Sequence, residues 1–358
     1  MNKVIGLVFA TTAVVAMTPA AAQDSGKWYP FSVEVWDPPF DMASPRTNLD
    51  YVPLEAASKK WDICVSFPHM KDAYWLGVDY GIVEEAKRLG VKATVVEAGG
   101  YTELNNQISQ IEDCVSAGAN AVIIGAISYD GLNNLVGEIR SKNIPVVDVI
   151  NGMSSDQLSA KSLVSFGEMG AKAGQFLAAS HPSGSETVKV AWFPGPAGAG
   201  WVEAGNTGFT GAIAGSAIEL VDTKYGDTGK EAQAKLVEDT LEAHPDLNYI
   251  VGTAVTAEAA VPILRSRGLT DQVKIVSYYY TPGVDQGIER GQILAAPTDS
   301  PVIQARIAVD QAVRILEGKD YVKHVGPALY VVTQENHKDF DSSSTLAPDG
   351  FKPIFSVE

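Results

Sequence analysis

Aromatic residues recur in this sequence after apolar runs that predict strands, and their type suits them to ligand binding. The faces of such rings carry negative quadrupoles and attract an alkylated cation by roughly 0.5 to 2 kcal/mol each. Rings also stack on sugar faces, and any single ring is as well explained by packing in the core. Several rings at the carboxyl ends of strands are harder to explain by packing alone. They are Tyr74, Trp75, Tyr101, Phe166, Trp201, Tyr278, Tyr279 and Tyr280.

No catalytic motif accompanies these rings. The sequence has no G-x-x-x-x-G-K-[ST] phosphate loop, no H-E-x-x-H zinc motif and no G-x-S-x-G nucleophile elbow. None of the five histidines has a second histidine or a cysteine at metal-ligand spacing, and His69 is interpreted as a solvated loop residue. The Gly/Pro-rich run at 195–200 lacks a basic residue, so we interpret it as a close approach of backbone to a ligand or another lobe. We expect a binding protein rather than an enzyme, with no cofactor and no metal.

A parallel sheet has to position the rings. Apolar runs at 63–67 and 91–96 predict two strands, and the amphipathic stretch between them predicts a helix. Such a βαβ unit has parallel strands, and ligands bind at the loops that follow them, here 68–75 and 98–101. The helix is predicted to bury Leu76, Tyr80, Val83 and Ala86.

The alternation of strands and helices continues and starts again after residue 187. It predicts an α/β fold of two doubly wound parallel-sheet lobes. Further strands are predicted at 121–125, 145–149, 163–166, 188–193, 218–225, 249–252, 274–278, 293–296 and 325–333. Further helices are predicted at 102–117, 131–141, 169–180, 200–214, 230–243, 257–267, 284–290 and 301–317.

Length and charge narrow the possible partners. The 358 residues suffice for two domains of ordinary size. Hydrophobic residues make up 46% of the chain, which indicates a globular protein. The net charge of −16 repels nucleic acid and anionic lipid, so we expect neither as a partner.

Residues 1–22 have the pattern of a secretory signal peptide. Lys3 supplies the positive start, an apolar core follows at 4–17, and three alanines at 20–22 fit a cleavage site. The core is shorter than the roughly 20 residues that span a bilayer, so we expect export without membrane insertion. Residues 23–60 are expected to form an arm on the surface of the body, with Trp28 and Trp36 as anchors.

Cys64 and Cys114 are the two cysteines of the chain. An exported protein permits one disulfide between them, because the oxidising compartment favours it. Both are predicted to lie on the side of the sheet away from the ligand loops. The alternative is a pair of buried free thiols.

The two-lobe pattern resembles the type I periplasmic binding proteins, as does the segment H-P-D-L-N-Y-I-V-G-T-A-V-T-A-E-A-A at 244–260. This resemblance implies three crossovers between the lobes, near Ser165, Ala296 and Pro327. It implies an N-terminal lobe of 61–164 plus 297–326 and a C-terminal lobe of 165–296 plus 327–358. Sugar-binding members of this family show Asn-Asp at the position of Thr253-Ala254 and often Asp at that of Tyr279. Their absence here leaves too few hydrogen-bond partners for a polyol.

Several motifs together resemble the TorT family, which consists of periplasmic receptors for trimethylamine N-oxide that signal to a TorS-like sensor histidine kinase of a two-component system. The contexts of both cysteines also resemble that family. The motifs are K-D-A-Y-W-L at 71–76, E-A-G-G-Y at 97–101, F-P-G-P at 193–196, G-T-A-V-T-A-E-A-A at 252–260 and V-S-Y-Y-Y at 276–280.

This resemblance implies a ligand site in the cleft between the lobes. Trp75, Tyr101 and Tyr279 are expected to wall the methyl groups, and a Trp75 N–H or a tyrosine O–H to donate to the oxide. Asp72 either faces the cation or caps the following helix. Phe166 stands where the family has a tryptophan. Phenylalanine keeps the ring face but lacks the N–H donor of the indole. The implied ligand set is Asp72, Tyr74, Trp75, Tyr101, Phe166, Trp201, Thr253 and Tyr279.

The alternative to a signalling receptor is a solute-binding receptor of an ABC importer for a sugar or a quaternary amine.

Overall fold

The computed structural model of the chain describes residues 27–358. The predicted signal peptide at 1–22 lies outside the described residues. Within the described range, no helix is long and apolar enough to cross a bilayer.

Nine strands of the described chain form one mixed sheet in the order β15-β4-β3-β5-β6-β7-β13-β1-β2. The six central strands, from β4 to β13 in this order, pair in parallel, whereas β15, β1 and β2 are antiparallel to their neighbours. The elements that carry this sheet are called the first lobe. Its strands are β1 (Phe31–Trp36), β2 (Arg46–Tyr51), β3 (Asp62–Phe67), β4 (Lys92–Glu97), β5 (Ala121–Ile124), β6 (Val146–Val149), β7 (Ala160–Ser162), β13 (His324–Pro327) and β15 (Ser356–Val357).

The second lobe is built on a four-stranded parallel sheet within the described residues, in the order β11-β10-β8-β9. Its strands are β8 (Val188–Gly195), β9 (Ile218–Tyr225), β10 (Tyr249–Gly252) and β11 (Lys274–Ser277). Two more strands, β12 (Ala295–Thr298) and β14 (Tyr330–Thr333), pair with each other in antiparallel fashion. They carry the chain between the second lobe and the first, because α9 and β13 lie between them in sequence.

Helices flank both sheets. The helices at 73–89 and 301–316 pack against each other, and so do those at 166–180 and 200–213. The helices are α1 (Ala73–Leu89), α2 (Leu104–Ser116), α3 (Asn133–Ser141), α4 (Phe166–Ser180), α5 (Gly200–Ile213), α6 (Lys230–Ala243), α7 (Ala254–Arg267), α8 (Pro282–Glu289) and α9 (Pro301–Leu316), with short 3-10 turns at His337–Asp339 and Ser342–Ser344. These elements confirm the predicted α/β fold of two sheet-based lobes.

The predicted surface arm contains two strands rather than irregular chain. Strand β1 pairs with β13 and with β2, which extends the first sheet by a hairpin. The Trp36 ring stacks on the buried His324 ring at 4.4 Å between centroids, so Trp36 does anchor this segment.

Three local predictions differ from the structure. The strand predicted at 163–166 ends earlier, at Ser162, and Phe166 is instead the first residue of α4. The single strand predicted at 325–333 is broken into β13 and β14, because the chain leaves one sheet for the other. In α1, Leu76 and Tyr80 are only partly buried, and the innermost positions are Val78, Ile82, Val83 and Ala86.

Cys64 in β3 and Cys114 in α2 are joined by a disulfide, with 6.0 Å between their Cα atoms. The bond links a central strand to the helix that covers it. It lies away from the strand ends that carry the aromatic residues, since Cys64 is in the first half of β3.

Candidate functional site

A cavity lies between the two lobes, where the carboxyl ends of their parallel strands face each other. Its volume is about 20 Å³, far below the roughly 300 to 1,000 Å³ of a typical ligand pocket, so only a small molecule fits. The lining residues are Asp72, Tyr74, Trp75, Tyr101, Ile150, Asn151, Phe166, Trp201, Thr228 and Tyr279.

Rings from both lobes meet around this cavity. Tyr74 of the first lobe and Tyr279 of the second lie 5.1 Å apart between centroids, in edge-to-face geometry. The rings of Tyr101 and Trp201 lie 6.0 Å apart between centroids across the cleft, tilted by 57° to each other. Phe166, Trp201 and Tyr279 are at most 7% exposed. The lobes therefore contact each other around the cavity, and six aromatic rings form most of its lining.

Two glycines make room for the indole rings. A Cβ atom on Gly125, which follows β5, would lie 2.6 Å from Cη2 of Trp75. Gly195 ends β8 with φ 120°, and a Cβ there would lie 2.5 Å from Cη2 of Trp201. At Gly195, the Gly/Pro-rich run at 195–200 therefore brings the backbone close to a side chain of the cavity.

Tyr278 holds the second-lobe side of the cavity in place. Its buried hydroxyl lies 3.2 Å from the carbonyl oxygen of Phe166 and 3.1 Å from that of Trp201. The first turns of α4 and α5 are thereby fixed against β11. Unlike Tyr279, Tyr278 does not line the cavity, and its role is to position the two rings that do.

Asp72 caps α1, as one of the two predicted alternatives has it, and it also lines the cavity. Its Oδ1 accepts hydrogen bonds from the backbone N–H groups of Tyr74 at 3.1 Å and Trp75 at 3.2 Å. Burial nevertheless raises the pKa of this carboxyl to about 7. A cation in the cavity would favour the ionised form, because an opposite charge nearby lowers a carboxyl pKa.

Asn151 orients the Tyr101 hydroxyl. Its Nδ2 donates to the oxygen of Tyr101 at 3.0 Å and to the carbonyl oxygen of Ala126 at 2.7 Å. Burial raises the pKa of Tyr101, so the phenol keeps its proton. Because its oxygen already accepts from Asn151, this proton is available to an acceptor in the cavity.

A strained turn brings Asn151 to the cavity. The N–H of Asn151 donates to the carbonyl oxygen of Val149 at 2.8 Å, across Ile150 with φ 69°. This is the rare γ-turn with positive φ, and a β-branched residue adopts it at a cost. Ile150 and Asn151 line the cavity but were not predicted, since no sequence pattern marks a γ-turn at the end of β6.

The structure brings together seven of the eight predicted ligand residues. Thr253 is the exception, because it does not line the cavity. It is fully buried as the cap of α7, where its hydroxyl accepts from the Thr256 N–H at 3.2 Å. Its hydroxyl also lies 2.7 Å from that of Thr256, so both of its contacts are within the first turn of α7.

Sequence reasoning missed two further residues at the cleft. His69 is fully buried, so its interpretation as a solvated loop residue is wrong. Its Nε2 lies 2.8 Å from the hydroxyl of Thr228 in the opposite lobe. Burial lowers the pKa of His69 to about 4, so its ring is neutral at physiological pH. Only the packing of one lobe on the other brings these residues together, and local sequence gives no signal for it.

Within residues 27–358, no group of three or more histidine, cysteine, aspartate or glutamate side chains is arranged to hold a metal ion. The groups that the cavity offers to a ligand are ring faces, O–H and N–H donors and the Asp72 carboxyl. These can bind a small cationic or zwitterionic molecule with methyl groups.

The family model for the periplasmic binding protein domain matches residues 63–320. The periplasmic protein TorT of Escherichia coli O157:H7 is 35% identical over 305 residues, which cover 85% of this chain and 86% of that protein. An ABC transporter solute-binding protein from Bradyrhizobium sp. BTAi1, solved with bound bis-tris, is 64% identical, with a TM-score of 0.79 over 92% of this chain and 99% of that one.

Solved complexes of the TorS sensor domain with TorT are also similar. The complex without ligand matches at 36% identity and the complex with trimethylamine N-oxide at 37%, both with a TM-score of 0.75. Each match covers 82% of this chain and 99% of the solved one.

Proposed function

The chain belongs to the periplasmic binding protein family and is a periplasmic protein of the TorT type, and from this premise we propose that it is a receptor for trimethylamine N-oxide or a closely related methylated amine. The observation that carries this proposal is the small cavity between the lobes, whose lining is mostly aromatic and whose single lining carboxyl belongs to Asp72.

The chemistry of such a ligand matches the walls. Trimethylamine N-oxide has three methyl groups, a positive nitrogen and an oxygen that only accepts hydrogen bonds. The ring faces of Trp75 and Tyr279 attract the methylated cation, and Asp72 adds a negative charge. The hydroxyl of Tyr101, oriented by Asn151, donates to the oxide.

The size of the cavity supports a small ligand over a sugar. A volume of about 20 Å³ is too small for a pyranose ring with its hydroxyl groups. A polyol also needs many paired polar groups, and most lining side chains here are aromatic.

We propose that the receptor passes its signal to the periplasmic domain of a TorS-like sensor histidine kinase. The support is the similarity to TorT in its complexes with the TorS sensor domain. Ligand binding would favour the closed lobes over open ones, and the kinase would respond to that change of population. No chemical change of the ligand is involved, so mass spectrometry should recover it unaltered.

A second candidate is the solute receptor of an ABC importer, favoured by the description of the relative at 64% identity. Both candidates use the same cavity and differ in the protein that contacts the closed lobes. Copurification of the tagged mature protein from membranes distinguishes them, since a kinase supports signalling and a permease supports import.

Calorimetric titration tests the ligand. The mature protein is titrated with trimethylamine N-oxide, choline, betaine and a panel of sugars, and thermal unfolding is followed with each compound. We expect heat and stabilisation with trimethylamine N-oxide and none with sugars. Binding of a sugar, with no response to any methylated amine, would contradict the proposal.

A further inference from the structure

A groove with a volume of about 690 Å³ lies between the lobes beside the cavity. This volume is within the roughly 300 to 1,000 Å³ of typical ligand pockets, whereas that of the cavity is about 20 Å³. Phe40 and Met42 line the groove from the loop between β1 and β2. Ala204 and Thr207 line it from α5 in the second lobe. The groove can therefore hold a ligand group for which the cavity has no room.

The cavity and the groove share part of their walls. Ile150, Asn151, Phe166 and Trp201 line both spaces. The rings of Phe166 and Trp201 lie 5.9 Å apart between centroids, tilted by 52° to each other. These four side chains are called the partition, because they stand between the cavity and the groove.

Phe166 is the less constrained of the two rings in the partition. Trp201 stacks on Tyr278 with 19° between the ring planes, and a Cβ on Gly195 would lie 2.5 Å from its Cη2. Asn151 is held by two hydrogen bonds of its amide. The Phe166 ring has no polar atom that could hold it, and it meets Trp201 and Tyr278 only in tilted or edge-to-face geometry. Rotation of this ring is therefore the change that connects the two spaces.

The groove is open to solvent and exposes apolar side chains. A Cβ atom on Gly152 or on Gly198 would meet no atom within 4 Å. Met42 is 40% exposed and Tyr129 is 45% exposed. Both line this groove, and clustered apolar surface of this kind marks a binding site.

The charges of the groove disfavour an anionic occupant. Asp130 and Glu203 are exposed residues of its lining. Lys161 also lines it, but its ammonium lies 3.6 Å from the buried Asp148 carboxyl and donates to the carbonyl oxygen of Met153 at 2.7 Å. An anionic group would meet two carboxylates and a cation that is already paired. An apolar group meets no such cost.

We propose that the groove is a second part of the ligand site and holds an apolar substituent on the nitrogen of the ligand. The cavity binds the dimethylamine oxide head, and the substituent passes Phe166 into the groove. A chain longer than methyl exceeds the volume of the cavity, so the groove is the adjoining space where it finds apolar contact. The inference rests on the proposed function and extends its ligand class to amine oxides with one longer alkyl chain.

A homologous series of ligands tests the groove. The mature protein is titrated by calorimetry with trimethylamine N-oxide and with dimethylamine oxides whose third substituent is ethyl, butyl or hexyl. These compounds share the head and differ only in methylene groups. We expect the affinity to rise by about two- to fourfold for each methylene that the groove buries. An affinity that falls steadily from methyl to hexyl would overturn the inference.

Variants that fill the groove locate the chain. Ala204→Phe places a ring in the groove from an exposed position of α5, so the ratio of the hexyl to the methyl affinity should fall to about one. Thr207→Phe, at a second exposed residue of the groove, should act in the same way. Ala243→Phe is the matched control, because Ala243 is an exposed residue of α6 outside both spaces. It should retain the wild-type ratio.

1-Hexanol separates a two-part site from an independent apolar site. It has the chain of the longest ligand but not the amine oxide head. We expect it to bind at least about tenfold more weakly than the hexyl amine oxide, because the ring faces and donors of the cavity stay unused. Equal affinities of the two compounds would contradict a site that spans both spaces.

The outcomes separate this inference from the proposed function. If no amine oxide of the series binds, both are wrong. If trimethylamine N-oxide binds and a longer chain adds no affinity, only the inference about the groove is wrong. A gain with chain length that persists in both Ala204→Phe and Thr207→Phe would place the chain elsewhere and would also overturn it.

Discussion

The hydroxyl of Tyr74 donates a hydrogen bond to Oδ2 of Asp299 at 2.6 Å, and both groups are buried. Tyr74 walls the cavity, whereas Asp299 lies in the crossing from β12 to α9 between the lobes. Nε2 of Gln304 donates to the same oxygen at 2.7 Å. Burial raises the pKa of Asp299, and these two side chains oppose that rise. The bond joins the ligand site to a segment that connects the lobes.

The first prediction concerns this bond. Tyr74→Phe keeps the ring and removes the donor, so a buried carboxylate loses a partner. We expect the free energy of unfolding to fall by about 1.5 to 3 kcal/mol, as for hydrogen bonds to charged groups. Urea denaturation measures it. Tyr330→Phe, at a ring that is 43% exposed, is the control and should change little. Equal effects of both substitutions would contradict the prediction.

Much of the fold could be predicted because the spacing of apolar residues indicates which positions are buried. β3 and β10 are short apolar runs that end before a helix, and the structure has strands followed by helices there. The hairpin of β1 and β2 was not predicted, because β2 lacks such an apolar pattern. Five of the six residues of β2 are not buried, so pairing with β1 and not side-chain pattern makes it a strand.

The sequence predicts only those residues of the site that lie just after the ends of strands. Trp75 and Tyr279 follow parallel strands, and the rule that ligands bind there places them correctly at one cavity. His69 and Thr228 were missed because their contact depends on closure of two lobes that are far apart in sequence. Thr253 was carried over from a family position, and its hydroxyl is used in capping α7 instead.

The second prediction concerns the disulfide between Cys64 and Cys114, which are separated by 50 positions. Closing a loop of that length in the unfolded chain is expected to stabilise the protein by about 4 kcal/mol in the chain-entropy model. A double Cys64→Ala, Cys114→Ala variant should unfold at lower urea concentration by a corresponding amount. Dithiothreitol should destabilise the wild-type protein in the same way but leave the double variant unaffected. A wild-type protein indifferent to reduction would be evidence against the bridge.

The third prediction is a pH dependence of cation binding. With a pKa of about 7, Asp72 is increasingly protonated below pH 7 in the closed lobes, and a cationic ligand must displace that proton. Affinity for tetramethylammonium should therefore fall as the pH falls, by about tenfold between pH 8 and pH 6. The other groups at the cavity do not titrate in this window, because the pKa of His69 is about 4 and those of Tyr101 and Tyr279 are raised.

Calorimetry across this pH range tests the prediction with a permanent cation, so that the charge of the ligand stays constant. Asp72→Asn is the matched variant, because the amide oxygen still caps α1 but carries no charge. It should bind tetramethylammonium weakly and with no pH dependence. A wild-type affinity that is constant from pH 6 to pH 8 would show that Asp72 stays ionised throughout.

The last prediction separates the ring of Tyr279 from its hydroxyl. The ring is 5% exposed and faces the cavity opposite Tyr74, so its face is desolvated when a cation binds. A cation–π contact of up to about 2 kcal/mol is expected in such surroundings, which corresponds to roughly 30-fold in affinity. Tyr279→Ala should therefore weaken binding of trimethylamine N-oxide by about that factor, whereas Tyr279→Phe should retain most of it. Tyr280→Phe is the control, because its hydroxyl bonds to Asp285 outside the cavity. A Tyr279→Ala protein with wild-type affinity would remove this residue from the site.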